Sequence, residues 1–166
     1  GLTMYHQVTV GDNHDRLAEV IRTALKRSDV IILTGGLGPT EDDLTKEVCA
    51  EVMGFPLVED THTHERIEEY FRNNIYKVIP DNNWKQAIVP AGCIVLDNDN
   101  GTAPGLILEK YGKSAILLPG PPNELYPLFM NQVYPYLQKL QPEVIRSQMV
   151  KICGVGESQV EDKILD

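Results

Sequence analysis

The chain is short of positive charge. Fifteen Lys and Arg stand against 24 Asp and Glu, for a net charge of −9. With no basic stripe to replace phosphate counterions, broad nucleic-acid binding is excluded, and so is attraction to an anionic membrane surface. A small anion needs only local positive potential, so it stays open as a ligand. Apolar runs of membrane-spanning length are also missing. Runs such as Val30-Ile31-Ile32-Leu33 and Ala115-Ile116-Leu117-Leu118 have the length of buried strands. Cysteine is sparse: Cys49, Cys93 and Cys153 lie far apart with no CxxC pair. A disulfide framework is therefore not expected; each thiol reads as a small core residue, in a reducing, cytoplasmic setting. No signal-peptide pattern opens the sequence. There is no Gly-x-Ser-x-Gly elbow and no HExxH. His62 and His64, two apart, fall on different faces of a helix and do not share a metal.

What is present alternates strands with helices. Tyr5 to Val10 reads as a strand ending at the turn Gly11-Asp12-Asn13. Leu17, Val20, Ile21, Ala24 and Leu25 then give one helical face. Val30 to Thr34 is apolar throughout, as a strand covered on both faces should be. After the Gly35–Pro39 loop, Thr40-x-x-Asp43 is a capping-type helix start, with Leu44, Val48 and Val52 as its apolar face and Gly54 and Pro56 as its stop. Thr61 to Asn74 is expected to be helical, Tyr76 to Trp84 a loop, and Lys85 to Val89 a short helix or turn. Ile94–Leu96 is a short strand. Gly105–Glu109 and Ser114–Leu118 form a hairpin about Lys110-Tyr111-Gly112. Glu124–Leu140 is a helix disturbed by Pro127 and Pro135, and Gln148–Cys153 is a last strand before a helix capped by Ser158-x-x-Glu161. The chain reads as a piece of a longer protein, with one α/β domain over 1–145 and the start of a following segment over 146–166. The expected architecture has three layers: a mostly parallel sheet with helices on both faces, mixed at the edge that holds the hairpin, and ligands bound beyond the carboxyl ends of the strands.

One loop carries the strongest chemical signal. Thr34-Gly35-Gly36-Leu37-Gly38-Pro39-Thr40 joins a buried strand to Glu41-Asp42-Asp43-Leu44-Thr45. Glycines let backbone N–H groups approach a ligand without an intervening Cβ, and a helix start offers free N–H groups and a positive dipole end. Together they suit an anion such as a phosphate. The same residues also read as a tight turn capped by Thr40 or Asp43. The loop is neither a P-loop nor GxGxxG, because no Gly-Lys-Ser/Thr follows and Glu41 stands where a third glycine is required. Asp42 and Asp43 favour the helix dipole but would repel a phosphate; a divalent cation between carboxylate and phosphate resolves the conflict, as Mg²⁺ usually does. Asp12 reads either as a helix cap or, if its strand neighbours the glycine loop, as a second acidic group there. Asn82, Asn83 and Lys85 either read a base or ribose or satisfy a turn. Leu118-Pro119-Gly120-Pro121-Pro122-Asn123-Glu124 is a stiff loop at the same sheet edge.

The run Asp29 to Thr45 resembles the signature of the N-terminal domain of the CinA (competence/damage-inducible protein A) family. So do Val10-Gly11-Asp12-Asn13, Asn83-x-Lys85-Gln86-Ala87, Asn100-Gly101-Thr102-Ala103-Pro104-Gly105 and Leu118 to Leu125, in order along the chain. Gly154-x-Gly156-Glu157-Ser158 is similar to the start of that family's next segment. The resemblance implies a molybdopterin-binding-like fold of the MogA and MoaB type, lacking here its first strand and helix. In MogA and MoaB the matching loop ends in Arg-Asp-x-Thr; here Asp42 replaces the Arg, which removes a cation and strengthens the case for a metal. The resemblance further implies a metal-dependent hydrolase that splits ADP-ribose into AMP and ribose 5-phosphate, or a non-catalytic nucleotide- or molybdopterin-binding module. The expected ligand contacts are Thr34, Gly35, Gly36, Leu37, Gly38, Pro39, Thr40, Thr45, Asn83, Pro119, Gly120, Pro122 and Glu124. Asp43 and Asp12 are the expected catalytic residues, and Asp42 and Asp43 the ligands of a divalent metal, Mg²⁺ or a transition ion. The expected partner is a small nucleotide, with neither nucleic acid nor membrane, and self-association is expected by analogy with relatives of this fold.

Overall fold

A computed structural model describes residues 2–73 and 78–140, together with 149, 151, 153, 154, 156, 159 and 160. Asn74, the first residues of the Tyr76–Trp84 loop, half of the Gln148–Cys153 strand, the Ser158 cap and the domain division at 145/146 lie outside the described residues. The elements are α1 (His14–Arg27), β1 (Val30–Thr34), α2 (Thr45–Met53), β2 (Leu57–Glu59), α3 (Thr61–Asn73), a 3₁₀ turn (Asp81–Ala87) and β3 (Ile88–Pro90). They continue with β4 (Ile94–Leu96), β5 (Gly105–Lys110), β6 (Lys113–Leu118), α4 (Pro122–Leu128), a π-helical turn (Phe129–Val133) and α5 (Tyr134–Leu140).

The main sheet has the order β1-β6-β5-β4. β6 pairs with β1 in parallel, Val30 opposite Ser114 through Thr34 opposite Leu118. It pairs with β5 antiparallel, and β5 with β4 antiparallel. The sheet is therefore mixed, not mostly parallel. The reason is local: Tyr111 (φ 52°) and Gly112 (φ 73°) form a two-residue turn with positive φ at both positions, which folds β5 directly back on β6. Leu57–Glu59 and Ile88–Pro90 make a separate antiparallel ribbon.

Alternation along the strands builds two cores. Leu106, Leu108, Ala115 and Leu117 face α1 and α2, where Leu17, Ile21, Val48 and Cys49 close one layer. Ile107, Ile116 and Leu118 face the other way, onto Leu128, Val133 and Leu137. This is the expected three-layer arrangement. Ile116 has no exposed surface, so truncating it to Ala costs about 2–5 kcal/mol. The helix over Pro122–Leu140 survives both prolines through a π turn, in which the Tyr134 N–H donates to the Phe129 carbonyl. α2 ends at Gly54 in the left-handed conformation (φ 70°).

Tyr5 to Val10 does not form a strand. Tyr5 is 81% and Val8 54% exposed, and only Val10 packs on the core. An alternating pattern makes a strand only where a neighbouring strand takes its hydrogen bonds, and among the described residues nothing pairs with this segment. α2 likewise begins at Thr45, not Thr40, because the Asp43 carboxylate closes a separate turn on Thr40. Among the described residues no helix is long and apolar enough to cross a membrane.

Candidate functional site

Because β1 and β6 run in parallel and in register, their carboxyl ends finish side by side. The loop after Thr34 and the loop after Leu118 therefore meet, and the Gly35 N–H donates to the Leu118 carbonyl at 2.9 Å. A Cβ on Gly120 would touch the Gly35 Cα at 3.5 Å. Gly36 has φ +68°, and a Cβ there would fall on the Thr45 hydroxyl; the Thr45 N–H donates to the Gly36 carbonyl at 3.1 Å. A Cβ on Gly38 would fall on the Asp43 carboxylate. Gly36 and Gly38 thus leave room for Thr45 and Asp43, whereas at Gly120 a Cβ would make only ordinary contact, and the surface above the loop is largely main chain.

A cavity of about 380 Å³ lies over this junction. Of the expected residues, Gly35 to Pro39, Asp43, Pro119, Gly120 and Glu124 line it. Thr34, Thr40, Asp42, Thr45, Asn83 and Pro122 do not. Asp12 is exposed, one residue ahead of the Asn13 cap of α1, and lines no part of the cavity; its approach to the loop required the strand that does not form. Tyr70, Gln86 and the Asn100–Ala103 segment complete the wall.

The supporting residues explain the others. Buried Gln86 donates its Nε2–H to the Leu37 carbonyl at 3.2 Å, and Asn83 donates to Gln86 Oε1 at 3.4 Å. Asn83 therefore acts through Gln86 and not on the cavity itself. Lys85 Nζ donates to the Thr40 and Asp43 carbonyls, both at 2.6 Å, and pins the turn after the glycines. On the opposite wall, Asn98 Nδ2 donates to Glu124 Oε2 at 2.7 Å and to the Ala103 carbonyl at 2.9 Å. A Cβ on Gly101 would fall on the Glu124 carboxylate, so the 98–103 loop is fitted to the start of α4. Gln86 and Gly101 lie within the recognised sequence motifs; Tyr70 and Asn98 carry no sequence signal, being an ordinary helical aromatic and a loop asparagine.

Asp43 Oδ2 accepts from the Thr40 N–H at 3.1 Å and from its hydroxyl at 2.6 Å. Asp42 is exposed, and the nearby Thr40 hydroxyl, its own backbone N–H and the Lys85 ammonium hold its carboxyl below the usual range. Beneath the turn, Lys46 is buried; its Nζ donates to the Lys85 carbonyl at 2.6 Å and lies 3.6 Å from Glu47. Burial pushes the Lys46 pKa down, with Glu47 opposing. No three His, Cys, Asp or Glu side chains converge as a metal cage among the described residues. Of the two expected metal ligands only Asp43 lines the cavity, with its Oδ2 bonded to Thr40; a hard cation shared with ligand phosphates takes one or two carboxylates.

A second cavity, about 470 Å³, adjoins the first between α3 and the 97–104 loop. Tyr70, Asn100, Gly101 and Thr102 form the wall common to both.

A family model described as "Probable molybdopterin binding domain" matches residues 1–139. The chain is 53% identical over all 166 of its residues to a protein of Caldicellulosiruptor bescii named "Putative competence-damage inducible protein". It is 48% identical, again over 166 residues, to one of the same name from Clostridium acetobutylicum. It spans 40% of the length of each of these relatives. Among solved structures it is similar to "the protein CinA with unknown function" from Thermoplasma acidophilum, at 35% identity and a TM-score of 0.68, covering 75% of this chain and 72% of that one.

Proposed function

The chain belongs to the molybdopterin-binding-domain family, in its CinA branch, and on that premise we propose that it binds a nucleotide diphosphate over the two glycine loops and hydrolyses it. The observation that carries this reading is the cavity in which Gly35–Gly38 and Pro119–Gly120 present bare main chain beside Asp43. The absence of side chains at Gly36, Gly38 and Gly120 lets diphosphate oxygens approach the main chain of the two loops. Asp43 would hold a divalent cation against those oxygens, with the exposed Asp42 carboxylate next to it in sequence; when bound, the cation supplies neutralisation of the diphosphate charge and Lewis acidity at phosphorus.

The reaction assigned is that of an ADP-ribose pyrophosphatase. Water adds to one phosphorus, the bridging P–O bond breaks, and AMP and ribose 5-phosphate leave. Asp43 orients the water and takes its proton, while Lys85 and Gln86 keep the loop in shape from behind. Fixed geometry of this kind is the main resource a protein offers to phosphorus chemistry. One observation favours a second reading, a binding module without turnover: the Asp43 carboxylate is already hydrogen-bonded to Thr40.

The test is incubation of the chain with ADP-ribose and Mg²⁺ or Mn²⁺, with and without chelator, followed by chromatography for AMP. Chelator-sensitive AMP that falls at least about a hundredfold in Asp43→Asn supports the hydrolase. Binding of ADP-ribose with no AMP supports the module, and an unchanged rate in Asp43→Asn sinks the assignment of Asp43.

A further inference from the structure

We propose that the outer face of the helix running from α4 through the π turn to α5 is a contact surface for a second copy of this chain, paired antiparallel about a two-fold axis at Met130. The pairing does not depend on what the glycine loops bind.

The face lacks what a solvated helix should carry. A surface helix normally turns charged residues to water. α1 does so with exposed Glu19, Arg22 and Lys26. From Leu125 to Gln138 there is no Asp, Glu, Lys, Arg or His, the longest such run in the sequence. The inner side of this run is accounted for, since Leu128, Val133 and Leu137 are buried against the sheet. The outer side shows Tyr126, Met130 and Tyr134, which are 66%, 58% and 46% exposed. A surface without charge, with tyrosine and methionine uppermost, has the composition of an interface core.

The π turn makes a straight line of the three. On a regular α-helix, positions eight apart drift about 80° around the axis. The π turn over Phe129–Val133 takes more residues per turn and offsets that drift. The stripe therefore runs along the helix and not around it.

Symmetry and charge identify the occupant. Tyr126 and Tyr134 stand four residues before and four residues after Met130. A two-fold axis through Met130 sets Tyr126 of each copy against Tyr134 of the other, and Met130 against itself, as a self-complementary contact requires. Two chains of net charge −9 repel one another in most orientations. This helix brings no carboxylate to the contact, so repulsion is least here. A basic partner, by contrast, would gain more from the acidic surface elsewhere. The stripe is small beside a standard interface, so the dimer forms at high concentration and dissociates on dilution.

The test is sedimentation velocity of the native chain over a concentration series, beside Met130→Glu, Met130→Lys and their equimolar mixture. The native chain is expected to pass from monomer to dimer as concentration rises. Each variant alone sets like charges together on the axis and should raise the dimer dissociation constant at least about tenfold. The mixture should restore association by pairing opposite charges, which variants that had merely lost their fold could not do. A native chain that stays monomeric at about 1 mM overturns the proposal and leaves the face to a different partner. A dimer that Met130→Glu leaves intact, or a native assembly of three or more copies, overturns it too. A mixture that associates no better than its components overturns the axis at Met130.

Discussion

The Lys85 ammonium donates to the Asp43 carbonyl at 2.6 Å, across 42 residues of sequence. With its second bond, to the Thr40 carbonyl, it ties the 3₁₀ turn to the acidic turn after the glycine loop. Its side chain is only 26% exposed, so these charge-assisted bonds are partly shielded from water. Lys85→Met should therefore lower unfolding free energy by about 1–2 kcal/mol. Amide hydrogen exchange should quicken over residues 40–43 more than in the β6 core. Unchanged exchange in that turn would show that Lys85 does not hold it.

Gly36 and Thr45 form a second coupled pair. Alanine at 36 must adopt φ +68° and also displace the Thr45 hydroxyl. The conformational part costs about 1–2 kcal/mol, and the overlap adds about 1–3 kcal/mol. Thr45→Ala should relieve the overlap and not the backbone strain. Urea unfolding of Gly36→Ala, Thr45→Ala and the double variant should give a double variant more stable than the sum of the two losses by about 1 kcal/mol. Strict additivity would mean that the loop moves away from Thr45 instead.

The parts of the fold set by short-range rules were readable in the chain. The Tyr111-Gly112 hairpin, the β1-to-glycine-loop transition and the Gly54 stop each follow from a local backbone requirement. The Tyr5–Val10 segment shows the limit, since its alternation specifies a face but not a partner strand. Strand direction was legible at that hairpin, which makes β5 and β6 antiparallel, but not at β4, because apolar runs mark burial and carry no sign of direction. At the site, glycines were legible because their function is the absence of a side chain. Asn98 was not, because it acts on Glu124 through a contact 26 residues away that no spacing rule encodes. Asn83 was assigned to the ligand, but its buried position puts it one hydrogen bond behind Gln86.

The thiols should divide by environment. Burial pushes Cys49 up to about 12 and Cys93 up to about 11, whereas Cys153 is exposed. The thiolate is the reactive form, so at about pH 8 only Cys153 should react quickly with a disulfide reagent in the folded chain. All three should react in denaturant. Rapid modification of Cys49 in the native state would show that the packing of α2 on the sheet opens readily.

His14 links the first two helices. Its Nε2 lies 2.7 Å from Glu51 on α2 and its Nδ1 3.0 Å from Asp15. The hydrogen bonds to Asp15 and Glu51 raise its pKa above the ordinary value. A histidine whose pKa is higher folded than unfolded binds protons more tightly in the native state. Its stabilisation is therefore complete below the unfolded value, about 6.5, and disappears as pH rises through the higher folded value. The Tm gap between the native protein and His14→Gln should be widest below the unfolded value of about 6.5 and shrink as pH rises above it. Because all three side chains face solvent, added salt should narrow the gap at the lower pH. A gap that widened with rising pH would mean that neutral His14 is the better-bound form, with Glu51 accepting no proton from an imidazolium.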